Sequence, residues 1–135
     1  MILVSACLIG LNCRYDGKTK ENREIVDLLK SGLKLLPICP EQLGGLCTPR
    51  AASQISGGDG FDVINGNAKV IQLETGVDVT KNFLKGAKEV ILITNLFYIK
   101  KAYLKAKSPS CGVSFPIGVT AAALSLKGIE LIEVH

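Results

Sequence analysis

Three cysteines carry the chemistry that this sequence suggests most strongly. Cys7, Cys39 and Cys111 each come just after a predicted buried strand, with 31 and 71 residues between them. In open α/β sheets, ligands bind outside the carboxyl ends of the strands. Three thiolates at one point can hold zinc, or an iron–sulfur cluster in which one iron has no protein ligand. The competing interpretation is that each is a small buried hydrophobic residue, the commonest fate of a free cysteine.

Two further cysteines leave the ligand set open. Cys13 and Cys47 follow Cys7 and Cys39 by six and eight residues in the same predicted turns. Either could replace a ligand or complete a fourth coordination position. Five cysteines are an odd number, which argues against a disulfide framework, and no Cys-x-x-Cys unit indicates a zinc ribbon or a ferredoxin-type site.

Polar side chains beside these cysteines could act on a bound ligand. Glu41 follows Cys39 by two residues, and a carboxylate beside a metal site could transfer protons. Its alternative is a solvated loop acid. Ser108 and Ser110 flank a proline next to Cys111 and could orient a ligand, or simply cap the turn.

Other charged residues offer weaker signals. Arg14, Asp16 and Arg50 could clamp a polar heterocycle or an anion, although surface ion pairs are the more frequent role of such residues. His135 is the only histidine and is terminal, which argues against a histidine-based triad.

The segment 37–50 is predicted to form a wall of the site. It contains three prolines and a Gly-Gly pair, so it should be a shaped loop held out of regular structure. It also carries two thiols, a carboxylate and a guanidinium. Conformational constraint combined with reactive side chains is typical of a functional loop.

The elements that must position these groups alternate between strand and helix. The predicted strands are 2–6, 33–38, 101–105 and 129–134; the predicted helices are 23–31 capped by Asn22, about 80–99 capped by Asp78 or Thr80, and 118–126. The β-branched residues 90–94 leave a strand open as an alternative for that part of the long helix. This alternation predicts an α/β fold, a three-layer sandwich with a mostly parallel, Rossmann-like sheet.

The middle of the chain is predicted to interrupt this alternation. Residues 51–62 are rich in Ser, Gly and Asp and resemble a flexible surface excursion, which could be a lid. Residues 61–73 are predicted to form an inserted β-hairpin around Asn65-Gly66. The whole of 1–135 is expected to be one domain.

Composition and charge limit the kinds of partner that we expect for this protein. The 135 residues are 47% hydrophobic and 21% charged, with a net charge of +4, as in an ordinary globular protein. The lysines are spread along the chain without an arginine-rich run, so we expect no nucleic acid polymer as a partner. The apolar start breaks after nine residues and has no basic leader, so we expect a cytoplasmic protein without a membrane anchor.

Several motifs in fixed order resemble the DUF523 family, which includes the thiouracil desulfidases. They are Ser5-Ala6-Cys7-Leu8, Arg14-Tyr15-Asp16-Gly17, Cys39-Pro40-Glu41, Gly44-Gly45-Leu46, Pro49-Arg50, Asp78-Val79-Thr80, Ser108-Pro109-Ser110-Cys111-Gly112 and Gly118-Val119-Thr120-Ala121-Ala122. Together they run through nearly the whole chain.

The resemblance implies an α/β protein that carries a [4Fe-4S] cluster on Cys7, Cys39 and Cys111. The fourth iron would bind the sulfur of a thiolated nucleobase or a similar small thiocarbonyl compound, and Glu41 would have the acid–base role. The expected activity is hydrolysis of a C=S bond. The alternatives are a non-catalytic iron–sulfur, metal or sulfide carrier and a zinc-thiolate protein, and a homodimer is left open.

Two features depart from the family pattern. Only residues 113–117 separate Cys111-Gly112 from the Gly-Val-Thr helix, where relatives usually have a longer segment. Cys47 stands where relatives often have proline, and Cys13 is outside the usual pattern. The shorter segment favours the carrier alternative.

Overall fold

A four-stranded sheet forms the centre of the protein, which a computed structural model describes over residues 1–135. The strands are β1 (Ile2–Ser5), β2 (Leu35–Ile38), β5 (Lys101–Lys105) and β6 (Glu130–Val134). Their order is β2-β1-β5-β6, and every neighbouring pair is parallel. All four carboxyl ends therefore lie at the same edge.

Helices cover both faces of this sheet. In β1, Leu3 belongs to the apolar cluster shared with α4 (Thr80–Leu96) and α5 (Val119–Leu126), whereas Val4 belongs to the cluster shared with α1 (Arg23–Lys30). Successive side chains of a strand point to opposite faces, so the two clusters lie on opposite sides of β1. The predicted three-layer α/β fold with a mostly parallel sheet is confirmed.

Pro37 lies inside β2, where a proline removes one ladder hydrogen bond. The position is tolerated because β2 is the edge of the sheet and pairs only with β1, opposite Val4.

The inserted hairpin exists with boundaries other than those predicted. β3 (Ser53–Ser56) pairs antiparallel with β4 (Lys69–Gln72), and α3 (Gly60–Ile64) lies between them. The prediction of a flexible excursion over 51–62 was therefore wrong. The hairpin packs on a third apolar cluster that includes Val70 and Phe83.

Local capping explains why 61–64 is helical and not a strand. The Asp59 side chain accepts from the N–H of Asp62, while the Asp62 side chain accepts from the N–H of Asp59, which forms a capping box. Asn65 then ends the helix, and Gly66 takes a positive φ of 82°. The Asn-Gly pair is thus a helix stop and not a hairpin turn.

The long helix α4 is shorter than predicted. Val79 occupies the N-cap position, and Asp78 accepts from the N–H and the hydroxyl of Thr80. The helix ends at Leu96, and Tyr98 takes a left-handed φ of 53°. The β-branched residues 90–94 are helical, so the strand alternative was wrong. No helix in the structure has the length and apolar character needed to span a bilayer.

The segment after β2 contains a one-turn helix, α2 (Pro40–Leu43), that packs tightly on α4. A Cβ added to Gly86 of α4 would overlap the carbonyl oxygen of Pro40, and one added to Gly44 would overlap the backbone of Asn82. The Asn82 side chain also donates to the Gly44 carbonyl at 2.9 Å. The prediction that 37–50 lacks regular structure was wrong for this turn, which carries Glu41.

We predict that Gly86→Ala destabilises the protein by about 2 kcal/mol, because overpacking against backbone costs about 1–3 kcal/mol. Helix propensity alone predicts the opposite effect, an increase of about 1 kcal/mol in the free energy of unfolding. Urea denaturation under anaerobic conditions measures the difference. The control is Lys88→Ala on the exposed face of α4, expected within about 0.5 kcal/mol of the wild type. A stabilised Gly86→Ala protein would contradict the close approach of α2 and α4.

Candidate active site

One cavity of about 450 Å³ lies at the carboxyl edge of the sheet and receives the three predicted thiols. Cys7 is in the 3-10 turn Ala6–Ile9 directly after β1, and Cys39 is the residue after β2 and the N-cap of α2. Cys111 is in the turn after β5. All three line the cavity. They straddle the boundary between β1 and β5, where the chain changes its direction of winding and where such folds bind ligands.

The two additional cysteines have different environments. Cys13 is buried and lines the same cavity, and its carbonyl accepts from the Cys39 thiol at 3.6 Å. Cys47 is exposed, does not line the cavity and donates to the Pro49 carbonyl at 3.2 Å. Only Cys13 therefore has access to a ligand in the cavity.

The thiols ionise unequally. Burial raises the pKa of Cys111 to about 12. A hydrogen bond with Cys39 favours the thiolate of Cys13, but hydrogen bonding with Cys7 and burial together raise the pKa of Cys13 to about 11. The pKa of Cys39 is raised by its hydrogen bond with Cys13 and by burial. The pKa of Cys7, in contrast, is lowered by its hydrogen bond with Cys13. Ionising the whole set therefore requires positive charge in the cavity.

No group of three or more Cys, His, Asp or Glu side chains is arranged to hold a single metal ion. All three thiols lie on the wall of the same cavity.

Glu41 is not a solvated loop acid. Its side chain is 12% exposed, and its Oε1 accepts from Nε of Arg50 at 2.9 Å. The Arg50 side chain is 3% exposed. The Glu41 carboxylate therefore lies on the cavity wall with a buried counter-charge.

Both Nη atoms of Arg50 also donate to protein groups. Nη2 donates to the Cys13 carbonyl at 2.9 Å, and Nη1 donates to the Thr48 hydroxyl at 2.9 Å and the Cys47 carbonyl at 3.2 Å. The predicted clamp of three charged residues does not assemble, because Arg50 is committed to protein groups. Asp16 lies 3.7 Å from Arg14 and is not on the cavity wall.

Two serines connect Glu41 to the turn that carries Cys111. The Ser110 hydroxyl donates to Glu41 Oε2 at 3.1 Å and lies 3.0 Å from the Ser108 hydroxyl. Ser108 Oγ accepts from the N–H groups of Ser110 and Cys111, at 3.2 and 3.1 Å. Because the single hydroxyl proton of Ser110 is donated to Glu41, the hydrogen bond between the two serines has Ser108 as its donor. The serines therefore cap the turn, and their hydroxyls lie on the cavity wall. Orientation of a ligand by them stays a prediction.

Positive charge surrounds this cavity. Its lining contains Arg14, Lys20, Lys105 and Lys107. Burial lowers the pKa of Lys105, and the neighbouring cations lower it further, while Cys7 acts in the opposite direction. The cavity therefore favours an anionic or electron-rich ligand. His135 lines the cavity as well, with a side chain that is 76% exposed.

Two contributors to the site, Ser5 and Lys105, were not predicted from the sequence. Ser5 ends β1, and its hydroxyl accepts from the Lys105 N–H at 2.9 Å. A serine at the end of an apolar strand is the signal that could have revealed it. Lys105 ends β5 beside Cys7, and nothing local in the sequence indicates that Arg50 is buried.

The short segment 113–117 is anchored by one carboxylate. Glu133 on β6 accepts from the N–H groups of Val113 and Ser114, at 3.1 and 2.9 Å, and from the Ser114 hydroxyl. These hydrogen bonds lower the pKa of Glu133. Segment 113–117 is therefore held in place, but it does not line the cavity. Phe115 at its tip is 88% exposed.

These features define a class of protein: an α/β protein with a buried thiol and carboxylate site at the carboxyl edge of a parallel sheet. A family model described as 2-thiouracil desulfurase matches residues 2–134. The chain belongs to the 2-thiouracil desulfurase family, and the predicted family membership is confirmed.

Individual relatives agree with this assignment. The uncharacterized protein YbbK of Bacillus subtilis (strain 168) is 39% identical over 145 residues, covering 98% of this chain and 95% of that protein. The solved structure of the [4Fe-4S]-dependent thiouracil desulfidase TudS superposes with a TM-score of 0.80 at 34% identity. It covers 98% of this chain and 89% of that chain. The fold is therefore shared with TudS over nearly the whole of this chain.

We predict that Glu133→Gln lowers the free energy of unfolding by about 1 kcal/mol near neutral pH, because the replacement loses the charge on three hydrogen bonds. The native pKa of Glu133 is lowered, so its contribution is present above the ordinary value of 4.5 and is lost as the pH falls through the native pKa. The difference from wild type should therefore shrink below pH 4.5. Denaturant unfolding at a series of pH values measures it.

Glu130→Gln on the same strand is the control, since Glu130 is exposed and expected to change stability by less than about 0.5 kcal/mol. A difference in stability between Glu133→Gln and wild type that grows on acidification would contradict the anchoring of segment 113–117 by Glu133.

Proposed function

We propose that the protein is a [4Fe-4S]-dependent desulfidase that hydrolyses the C=S bond of a thiolated nucleobase or a similar small thiocarbonyl compound. One observation carries the proposal: thiols from three strand ends and the Glu41 carboxylate line the same cavity. The volume of about 450 Å³ falls in the range of small-molecule sites.

The donor set fits an iron–sulfur cluster. Cys7, Cys39 and Cys111 would hold it, because thiolates are the usual protein ligands of such clusters and these three come from three separate turns. When bound, a cluster with three protein ligands supplies an iron with an open position, a Lewis acid toward sulfur.

Glu41 would handle the proton of the attacking water. As the water oxygen bonds to the thiocarbonyl carbon, the carboxylate takes a proton, and the C–S bond then breaks to leave a carbonyl group. One water is consumed and one hydrogen sulfide is released, so the overall reaction needs no oxidant or reductant. The Arg50 Nε–H holds Oε1 of this carboxylate at 2.9 Å.

The serines would orient the substrate and the base. Ser110 holds Oε2 of Glu41, and Ser108 is fixed by two backbone N–H groups, so neither hydroxyl needs to reorganise when the ligand enters. Preorganised donors of this kind stabilise developing charge without a reorganisation cost. The cations Lys20, Lys105 and Lys107 would attract an anionic ligand and retain negative charge as sulfide departs.

We predict that anaerobic reconstitution with iron and sulfide gives about four irons and four acid-labile sulfides per chain. Substituting serine at Cys7, Cys39 or Cys111 should lower this content severely, since each replacement removes one thiolate ligand. Iron, zinc and sulfide analysis together with visible absorption provide the measurement.

Cys47→Ser is the matched control, because this thiol is exposed and outside the cavity, and Cys13→Ser should also keep the cluster. The ligand assignment fails if Cys13→Ser loses the cluster while Cys111→Ser retains it. One zinc per chain would support the zinc-thiolate alternative.

We predict that the reconstituted protein converts 2-thiouracil to uracil and sulfide. Glu41→Gln should lower kcat by about 10²–10⁴-fold, the usual contribution of a general base, while iron and sulfide content stay at the wild-type level. Chromatography of uracil and colorimetric detection of sulfide follow the reaction. The control is Glu130→Gln, an exposed acid on β6.

Binding of 2-thiouracil without release of uracil would instead support a carrier. The short segment 113–117, which follows the Cys111 turn, favours this second function.

A further inference from the structure

We propose that Arg50 is a positioning residue for Glu41, acting by fixing the carboxylate and not by contacting the substrate. This inference rests on the proposed function. It assigns a role to a side chain that sequence reasoning treated as a possible ligand clamp.

The two oxygens of the Glu41 carboxylate have different hydrogen-bond partners. Oε1 of Glu41 takes the Nε–H of Arg50 at 2.9 Å, and Oε2 takes the Ser110 hydroxyl at 3.1 Å. These two contacts come from opposite ends of the site, one from the end of the 37–50 segment and one from the turn after β5. Removing Arg50 would leave the carboxylate held only by Ser110.

Protein groups engage all but one of the side-chain N–H donors of Arg50. Its Nε and both Nη atoms together make four hydrogen bonds to protein, and its side chain is 3% exposed. The planar guanidinium fork can satisfy the carboxylate, a hydroxyl and two carbonyls at once, which a lysine ammonium cannot do from one point. These contacts favour an indirect role, through Glu41.

The same residue joins two of the three cysteine-bearing segments. Arg50 donates from Nη2 to the Cys13 carbonyl, and its N–H donates to the Tyr15 carbonyl at 2.8 Å. These bonds tie the segment after β1 to the segment after β2. A purely structural role is therefore the competing explanation, and the test must separate loss of the cluster from loss of catalysis.

A double-mutant cycle separates the two explanations. The set is Glu41→Gln, Arg50→Gln, the double variant, and Arg50→Lys, with Arg23→Gln as control because Arg23 is exposed at the start of α1. For each, kcat and KM with 2-thiouracil, iron and sulfide per chain, and visible absorption are measured under anaerobic conditions.

The inference predicts that Arg50→Gln lowers kcat by about 10–100-fold through misplacement of Glu41, with KM and cluster content close to wild type. In the double variant, kcat should be no lower than in Glu41→Gln alone, because the two residues act as a unit. Arg50→Lys should recover part of kcat, since it keeps the charge beside Glu41.

Three results would overturn the inference. Additive losses in the double variant would show that Arg50 acts independently of Glu41. Loss of the cluster in Arg50→Gln, with no loss of kcat in a fully loaded Arg50→Lys protein, would assign it a structural role. Unchanged kcat in a fully loaded Arg50→Gln protein would exclude any role in positioning. A cluster-loaded wild type that releases no uracil would contradict the proposed function itself, and the positioning role would fall with it.

Discussion

Parallel pairing of β1 with both β2 and β5 is the constraint on which the site depends. It brings the carboxyl ends of three strands to one edge, so that residues distant in sequence share a cavity wall. Each strand end then leads into a different restraint: a 3-10 turn, a proline-started helix and a serine-capped turn. A slip in register at β1 would move its carboxyl end relative to both neighbours.

Buried charge is the second condition that the fold satisfies. Glu41 and Arg50 are withdrawn from water, and a buried ion pair is tolerable only when the remaining polar atoms find partners. Here Ser110 satisfies the second carboxylate oxygen, and Thr48 with two backbone carbonyls satisfies the guanidinium. The network fixes the carboxylate in a polar, preorganised environment, which is where proton transfer is most effective.

Packing of α2 on α4 fixes the position of Glu41 relative to the core. Glu41 lies on α2, and the glycines at 44 and 86 let that single turn rest directly on the backbone of α4. α4 in turn packs on the sheet face formed by residues such as Leu3 and Leu104. The position of the carboxylate is therefore set by the core and not by loop conformation.

The elements that the sequence predicted well are those with a strong local signal. Apolar strands at 2–6 and 101–105 and the small-residue helix ending at Leu126 were recognisable because burial dictates their composition. β3 was missed because Ser53–Ser56 alternates between partly buried and exposed positions with one aliphatic residue, and it is a strand through its pairing with β4. Such tertiary pairing leaves little mark on local sequence.

The site, like the fold, was predictable only where local sequence carries a signal. Strand ends and turn residues indicated which thiols could meet, whereas the burial of Arg50 depends on carbonyls at residues 13 and 47 that carry no side-chain signal. Asn65-Gly66 shows a second limit, since the same dipeptide suits a hairpin turn and a helix stop.

A crystal structure of the anaerobically reconstituted protein, with anomalous diffraction at the iron absorption edge, tests the central claim most directly. The account predicts one cubane of iron density in the cavity, bonded to Cys7, Cys39 and Cys111, with the fourth iron free of protein ligands. Iron bound through Cys13 or Cys47 in place of one of these thiols, or a single ion in the cavity, would contradict it.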